Sequence, residues 1–124
     1  VNKKRPVNLD ISTISLPITA IVSILHRLSG IFLFAGVAVL LWILQTSLTS
    51  PEGFESIAAI GSNAICQFVL WAVLAVLAYH SVMGIRHVIM DFGIGESLEG
   101  GKRGAVIALI VAAALIVLAG VWVW

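Results

Sequence analysis

Charge is scarce in this chain: only 10% of its 124 residues are Asp, Glu, Lys or Arg, where an ordinary soluble domain carries about 25%. With 60% hydrophobic residues and a mean hydropathy of +1.13, there is too little polar surface to cover a water-soluble core. The single cysteine, Cys66, excludes an internal disulfide, a CxxC pair and a cluster held by four thiolates of this chain. No nucleotide-binding glycine pattern, internal repeat or low-complexity tract occurs, and a net charge of +1 leaves no basic footprint for nucleic acid. Period-2 alternation is missing too, and open sheet edges cannot sit in lipid, so strands are excluded. An all-α membrane protein remains.

Three apolar stretches are present. The first runs from about Ile18 to Leu48, interrupted only by His26 and Arg27, with Pro17 suited to a first helical turn. The second is apolar from about Ser56 to Ile85 and predicts a helix over about 56–90. The third, Gly104 to Trp124, would be roughly 31 Å of helix, the thickness of a hydrocarbon core. The whole chain, 1–124, thus reads as one transmembrane anchor domain with helices over about 18–48, 56–90 and 104–124. Residues 1–16 precede the first span, and Asp91 to Arg103 form a short glycine-rich polar loop. Ala108 and Ala112 have the small-xxx-small spacing of a close packing face.

The direction of the spans follows from where the charges fall. All seven basic residues, Lys3, Lys4, Arg5, Arg27, Arg86, Lys102 and Arg103, lie before or early in span one or around the link between spans two and three. The link between spans one and two, around Ser50 to Ser56, carries only Glu52 and Glu55. Excess Lys and Arg stay on the cytoplasmic side, so the expected topology has a cytoplasmic N-terminus and a periplasmic C-terminus. Trp42, Trp71, Trp122 and Trp124 would then form an aromatic belt in the outer half.

Ionisable groups inside a span cost roughly 2.5–3.5 kcal/mol at its centre and therefore face a bundle interior, a partner or a cofactor. Ser23, His26, Arg27 and Gly30 share one face of span one; His80, Gly84, His87 and Asp91 share one face of span two. Counting inward at 1.5 Å per residue puts His80 about 15 Å deep and His26 and Arg27 roughly 12–14 Å deep, all in the cytoplasmic half. A neutral imidazole is a good axial ligand for haem iron, and Gly84, one turn on, would let a flat macrocycle lie against the backbone. His26 and Arg27 would then pair with haem propionates, or Arg27 with Ser23 would hydrogen-bond the carbonyl oxygen of a quinone head group. A plainer account fits the same residues: His80 as an interhelical hydrogen bond, Gly84 for packing, Arg27 snorkelling to phosphates and Ser23 bonding back to its own helix. Arg86 and His87 read as lipid or propionate contacts. Asp91 is left to cap the helix exit, to pair with Arg86 or Arg27, or to relay protons.

Three segments also resemble a known family, the cytochrome b membrane-anchor subunit of succinate dehydrogenase, respiratory complex II. They are Arg5-Pro-Val-Asn-Leu-Asp10, Ser23-Ile-Leu-His-Arg-Leu-Ser-Gly30 and His80-Ser-Val-Met-Gly-Ile-Arg-His-Val-Ile-Met-Asp91, in the family's order and spacing, and the first has the proteobacterial form. The resemblance implies that His80 is one axial ligand of a haem b whose other ligand comes from a second small hydrophobic anchor subunit. It implies that Ser23 and Arg27 contribute to the ubiquinone site, that His26 and His87 lie near the haem propionates, and that Asp91 sits at the rim near the quinone. It further implies a flavoprotein subunit and an iron–sulfur subunit as partners, which alone carry FAD and the clusters, and a place in a bacterial inner membrane. The chain by itself is then not catalytic. It would anchor the soluble pair and help pass electrons from succinate oxidation to ubiquinone.

Competing expectations are the anchor of a fumarate reductase working with menaquinone, and a small proton-conducting or transport subunit in which His80, His87 and Asp91 relay protons. A purely structural anchor without haem is a third. Ligation of one haem by both His26 and His80 of this chain also stays open, because their depths are similar.

Overall fold

The computed structural model describes residues 4–124. Lys3, counted above among the basic residues, lies outside them. Before the bundle, Asp10 caps a single 3-10 turn at Ile11–Thr13: its carboxylate accepts from the Ser12 amide at 3.1 Å and the Ser12 hydroxyl at 2.6 Å. Those two bonds hold the Asp10 carboxyl below its ordinary range, the side-chain bond contributing most.

Four helices follow: α1 (Ile18–Thr49), α2 (Pro51–Gly61), α3 (Ala64–Asp91) and α4 (Leu98–Val123). Three of them, α1, α3 and α4, are long and apolar enough to cross a membrane. At 1.5 Å per residue, α1 is about 48 Å long, so it tilts or projects beyond a hydrocarbon core of about 30 Å.

The helix ends differ from the sequence expectation in three places, each for a local reason. Pro17 stands at the N-cap of α1 and not inside its first turn, its carbonyl accepting from Ala20 and Ile21. The stretch from Ser56 does not begin the second span; it belongs to α2, and α3 starts only at Ala64. Ser50 caps α2 by accepting from the Gly53 amide, Pro51 occupies the first turn, and Asn63 recaps the chain by accepting from the Ile65 amide at 2.9 Å. This Ser-Pro-Glu-Gly start is a helix signature that hydropathy alone passes over. A side chain at Gly53 would run into the Thr46 carbonyl, so glycine is what lets α2 fold back on α1. Likewise α4 begins at Leu98 and not at Gly104, capped by Ser97 through the Gly100 amide at 3.0 Å with Glu99 favourably placed in its first turn. The polar loop shrinks to Phe92–Ser97, where Gly93 and Gly95 take φ of 81° and 73°.

Within the bundle α3 packs on both α4 and α1. The core is thin and built from small or flexible side chains: Val22, Met83, Ala105 and Ala108 form one cluster. Gly101, Ala105, Ala108 and Ala112 make a buried stripe along α4, so the close face expected from Ala108 and Ala112 is used within this chain. Most large apolar side chains point outward, as lipid-facing helices require; Phe34 is 88% exposed. At the far end the tryptophans divide. Trp42, Trp122 and Trp124 are exposed, whereas Trp71 turns inward and donates its indole N–H to the Ile116 carbonyl at 3.0 Å, tying α3 to α4.

Candidate functional site

The opening turns of α1 and α4 and the last turns of α3 meet at one end of the bundle, where Gly101 approaches Thr19 and Arg86 Nη2 donates to the Gly101 carbonyl at 3.1 Å. Just inside that end the two polar stripes read from the sequence do face each other. The His26 and His80 rings stack with centroids 4.3 Å apart and an interplanar angle of 25°. His80 Nδ1 lies 2.8 Å from the Ser29 hydroxyl and 3.2 Å from the His26 carbonyl oxygen. A carbonyl can only accept, so Nδ1 carries the proton, and in the neutral ring the Nε2 lone pair is left without a partner among the described residues.

Close approach of the helices makes this possible. A Cβ at Gly30 would lie 3.2 Å from His80 Cε1, whereas one at Gly84 would meet only His26 Nε2 at 3.7 Å. The glycine that admits His80 is therefore on α1, and Gly84, singled out by its spacing from His80, borders His26. A second tie between α1 and α3 is the Tyr79 hydroxyl, which donates to the Val22 carbonyl at 2.9 Å.

Next to the stacked pair is a cavity of about 230 Å³ whose polar lining is Thr19, Ser23, His26, Arg86 and His87. Among the described residues two buried nitrogens have no hydrogen-bond partner, His26 Nε2 and Arg86 Nε; a buried polar group left unmatched costs about 1–3 kcal/mol, so the Arg86 Nε–H is suited to an acceptor brought from outside the chain, and His26 Nε2 to an acceptor or a donor according to its tautomer. Arg27 is exposed and does not line this cavity. Ser23 and Arg27 thus share a helix face but part company in space, Ser23 toward the cavity and Arg27 outward. His87 and Asp91 are 72% and 67% exposed and approach to 3.9 Å, a surface pair of at most about 1 kcal/mol. Asp91 accordingly pairs with neither Arg86 nor Arg27. A separate groove of about 360 Å³ between α3 and α4 is almost wholly apolar, with Arg86 its one charged lining residue, and reaches neither histidine of the stack.

Among the described residues no three His, Cys, Asp or Glu side chains converge to hold a bare metal ion. The His26 and His80 rings lie face to face with no space for a macrocycle between them. Sequence reasoning missed Ser29, the buried hydroxyl that meets His80. Its signal was available, since it lies three residues after His26 and beside Gly30, but a serine in a helix ordinarily bonds its own backbone and attracts no notice. Arg86 was read as a lipid or propionate contact, and its tie to α4 is a tertiary contact that spacing does not show.

Residues 1–119 match the model of the succinate dehydrogenase/fumarate reductase transmembrane subunit. The chain belongs to that family. A succinate dehydrogenase cytochrome b556 subunit from Coxiella burnetii is 38% identical over the full length of both chains. One from Paracoccus denitrificans is 30% identical over 82% of this chain and 78% of its own. The human mitochondrial succinate dehydrogenase cytochrome b560 subunit is 29% identical over 89% of this chain and 66% of its own. The family recognised from the three segments is the family these comparisons return, and the protein is a membrane subunit of succinate dehydrogenase type.

Proposed function

We propose that this chain is the cytochrome b anchor of a bacterial succinate:ubiquinone oxidoreductase, set in the inner membrane with its N-terminus cytoplasmic. In this reading it joins a flavoprotein subunit, an iron–sulfur subunit and a second small anchor. FAD and the clusters belong to the soluble partners, and electrons from succinate reach ubiquinone at the membrane edge. His80 would hold a haem b through Nε2, the other iron ligand being supplied by the second anchor. The observation that carries this is the state of His80: inside an apolar bundle, its Nδ1–H is held by oxygen acceptors while Nε2 has no protein partner. That is how a ligating histidine is prepared, its second nitrogen fixed by a backbone or hydroxyl oxygen.

The surrounding residues fit the group. Gly30 gives the His80 ring its space, and the orphaned Arg86 Nε–H would donate to propionate oxygens, with His26 and His87 lining the same cavity and Arg27 one residue from His26 at the edge. When bound, the haem supplies a one-electron store within the bundle. Ubiquinone is the substrate. Arg27, exposed beside the cavity-lining His26, would donate to a quinone carbonyl and stabilise negative charge as it develops there, and Ser23, at the cavity, would orient the ring. Asp91, exposed beside His87, would sit at the quinone rim and could relay protons from water, with His87 near the haem propionates. Relatives named succinate dehydrogenase support this direction over fumarate reduction with menaquinone.

The test is the reduced-minus-oxidised spectrum of the purified complex with succinate, beside His80→Leu. A low-spin haem b signal lost or altered in the variant is expected; no haem in either sample would put the proton-conducting reading first. Arg27→Leu should cut ubiquinone reduction strongly while succinate oxidation by a soluble acceptor persists. Equal loss of both would remove Arg27 from the quinone site.

A further inference from the structure

We infer that Ser29 is the positioning residue that sets the ring orientation and the electron-donating strength of His80; the inference rests on His80 being the haem ligand. Ser29 is the only buried polar residue among the described ones, at 7% exposure, and it sits on α1 although the histidine it serves is on α3. Its hydroxyl donates to the His26 carbonyl at 2.6 Å, the back-bond expected of serine in a helix. A hydroxyl has one proton. With that proton directed at His26, Ser29 Oγ can present only a lone pair to His80 Nδ1, 2.8 Å away. The proton of that contact must therefore come from Nδ1. The His26 carbonyl, 3.2 Å from the same nitrogen, demands the same polarity.

The three oxygen and nitrogen atoms thus form a closed arrangement with only one consistent proton assignment, and it leaves Nε2 as a lone pair. Stacking against His26 on one face and the close backbone at Gly30 limit ring tilt, and the His26 carbonyl requires the proton on Nδ1, but none of these supplies Nδ1–H with a short acceptor. Ser29 also provides the shorter of the two bonds. An acceptor on Nδ1–H makes the opposite nitrogen more basic, which favours the ferric over the ferrous form of a ligated iron. Taking it away leaves only the longer carbonyl contact, so the ligand donates less and the iron is more easily reduced.

Redox titration of the haem in the whole detergent-purified complex tests this, with Ser29→Ala, Ser29→Thr and His80→Leu side by side. At a fixed solution potential Ser29→Ala should move the oxidised-to-reduced ratio about two- to tenfold toward ferrous haem, the worth of one hydrogen bond; tenfold is 59 mV for a one-electron couple. Its low-spin electron paramagnetic resonance signal should also broaden or shift as the ring gains freedom. Ser29→Thr keeps the hydroxyl and should restore both readouts. An unchanged ratio and signal in Ser29→Ala, with haem lost in His80→Leu, would overturn the role of Ser29 and leave His80 as ligand. A native haem spectrum in His80→Leu would overturn the ligand assignment and this inference with it. If Ser29→Ala assembles without haem, recovery of haem by Ser29→Thr supports the inference, and failure of Thr to recover it in an assembled complex overturns it.

Discussion

Replacing Gly30 by alanine adds one methyl group at the tightest point between α1 and the His80 ring. The new Cβ would lie 3.2 Å from His80 Cε1 and 3.8 Å from Nδ1, whereas carbon atoms prefer about 3.5–4.0 Å, so the ring must retreat by roughly 0.3 Å or more. It has little freedom to do so, being stacked on His26 at 4.3 Å and bonded to Ser29 at 2.8 Å. Overpacking of this kind costs about 1–3 kcal/mol, and alanine returns up to about 1 kcal/mol in helix propensity. The net expectation is a measurable loss of up to about 3 kcal/mol, roughly 150-fold at the upper end in the relevant equilibrium. Gly84→Ala is the control, because its methyl would meet His26 Nε2 at an ordinary 3.7 Å. The assay is thermal loss of the haem Soret band from the purified complex, read with the low-spin spectrum. Gly30→Ala should melt earlier with a perturbed spectrum, while Gly84→Ala keeps its stability. A Gly30→Ala complex as stable as the parent, with an unaltered spectrum, would refute the argument that Gly30 limits the His80 position.

Two further outcomes follow from named contacts. Tyr79→Phe removes the hydroxyl that ties α3 to the Val22 carbonyl of α1; interhelical bonds in membranes average about 0.6 kcal/mol, so a loss between that and about 1.7 kcal/mol is expected by steric-trapping unfolding in bilayers, with the haem spectrum retained. The Asp10 turn should depend on pH in one direction only. Its carboxyl is held low by the bonds from Ser12, so the turn is intact above the ordinary carboxylate value of about 3.9 and opens as pH falls through the lowered one. Hydrogen exchange at the Ser12 amide should therefore lose protection in acid and be flat from mild acidity to neutrality. Asp10→Asn should keep the turn but abolish that acid transition.

Much of the architecture was legible because lipid imposes a simple rule on sequence: a spanning helix must be long and apolar, and hydropathy measures just that. The three helices long and apolar enough to cross a membrane are where the apolar runs lie. Hydropathy is blind to caps, however, and the break at Ser62 and Asn63 and the start at Ser97 depend on single side-chain oxygens meeting single amides. For the site, helical periodicity correctly grouped His26 with Gly30 and His80 with Gly84, since residues three and four apart share a face whatever the tertiary fold. Periodicity also grouped Ser23 with Arg27, yet the cavity takes Ser23 and leaves Arg27 outside, because a helix face is wider than the line along which another helix touches it.

What the sequence determined alone is the solvent this protein belongs in, the number of its crossings, its family and the short inventory of groups able to do chemistry in an apolar bundle. Each depends on composition or on local order along the chain. Tertiary structure decided which glycine yields to which histidine, that Ser29 reaches across to His80, and that Arg86 ties α3 to the beginning of α4. These are contacts between residues 15 to 51 positions apart. They depend on the distance and rotation of one helix against another, which the small stripe on α4, the close approach at Gly30 and the cross-helix hydrogen bonds set together, and which no single helix encodes.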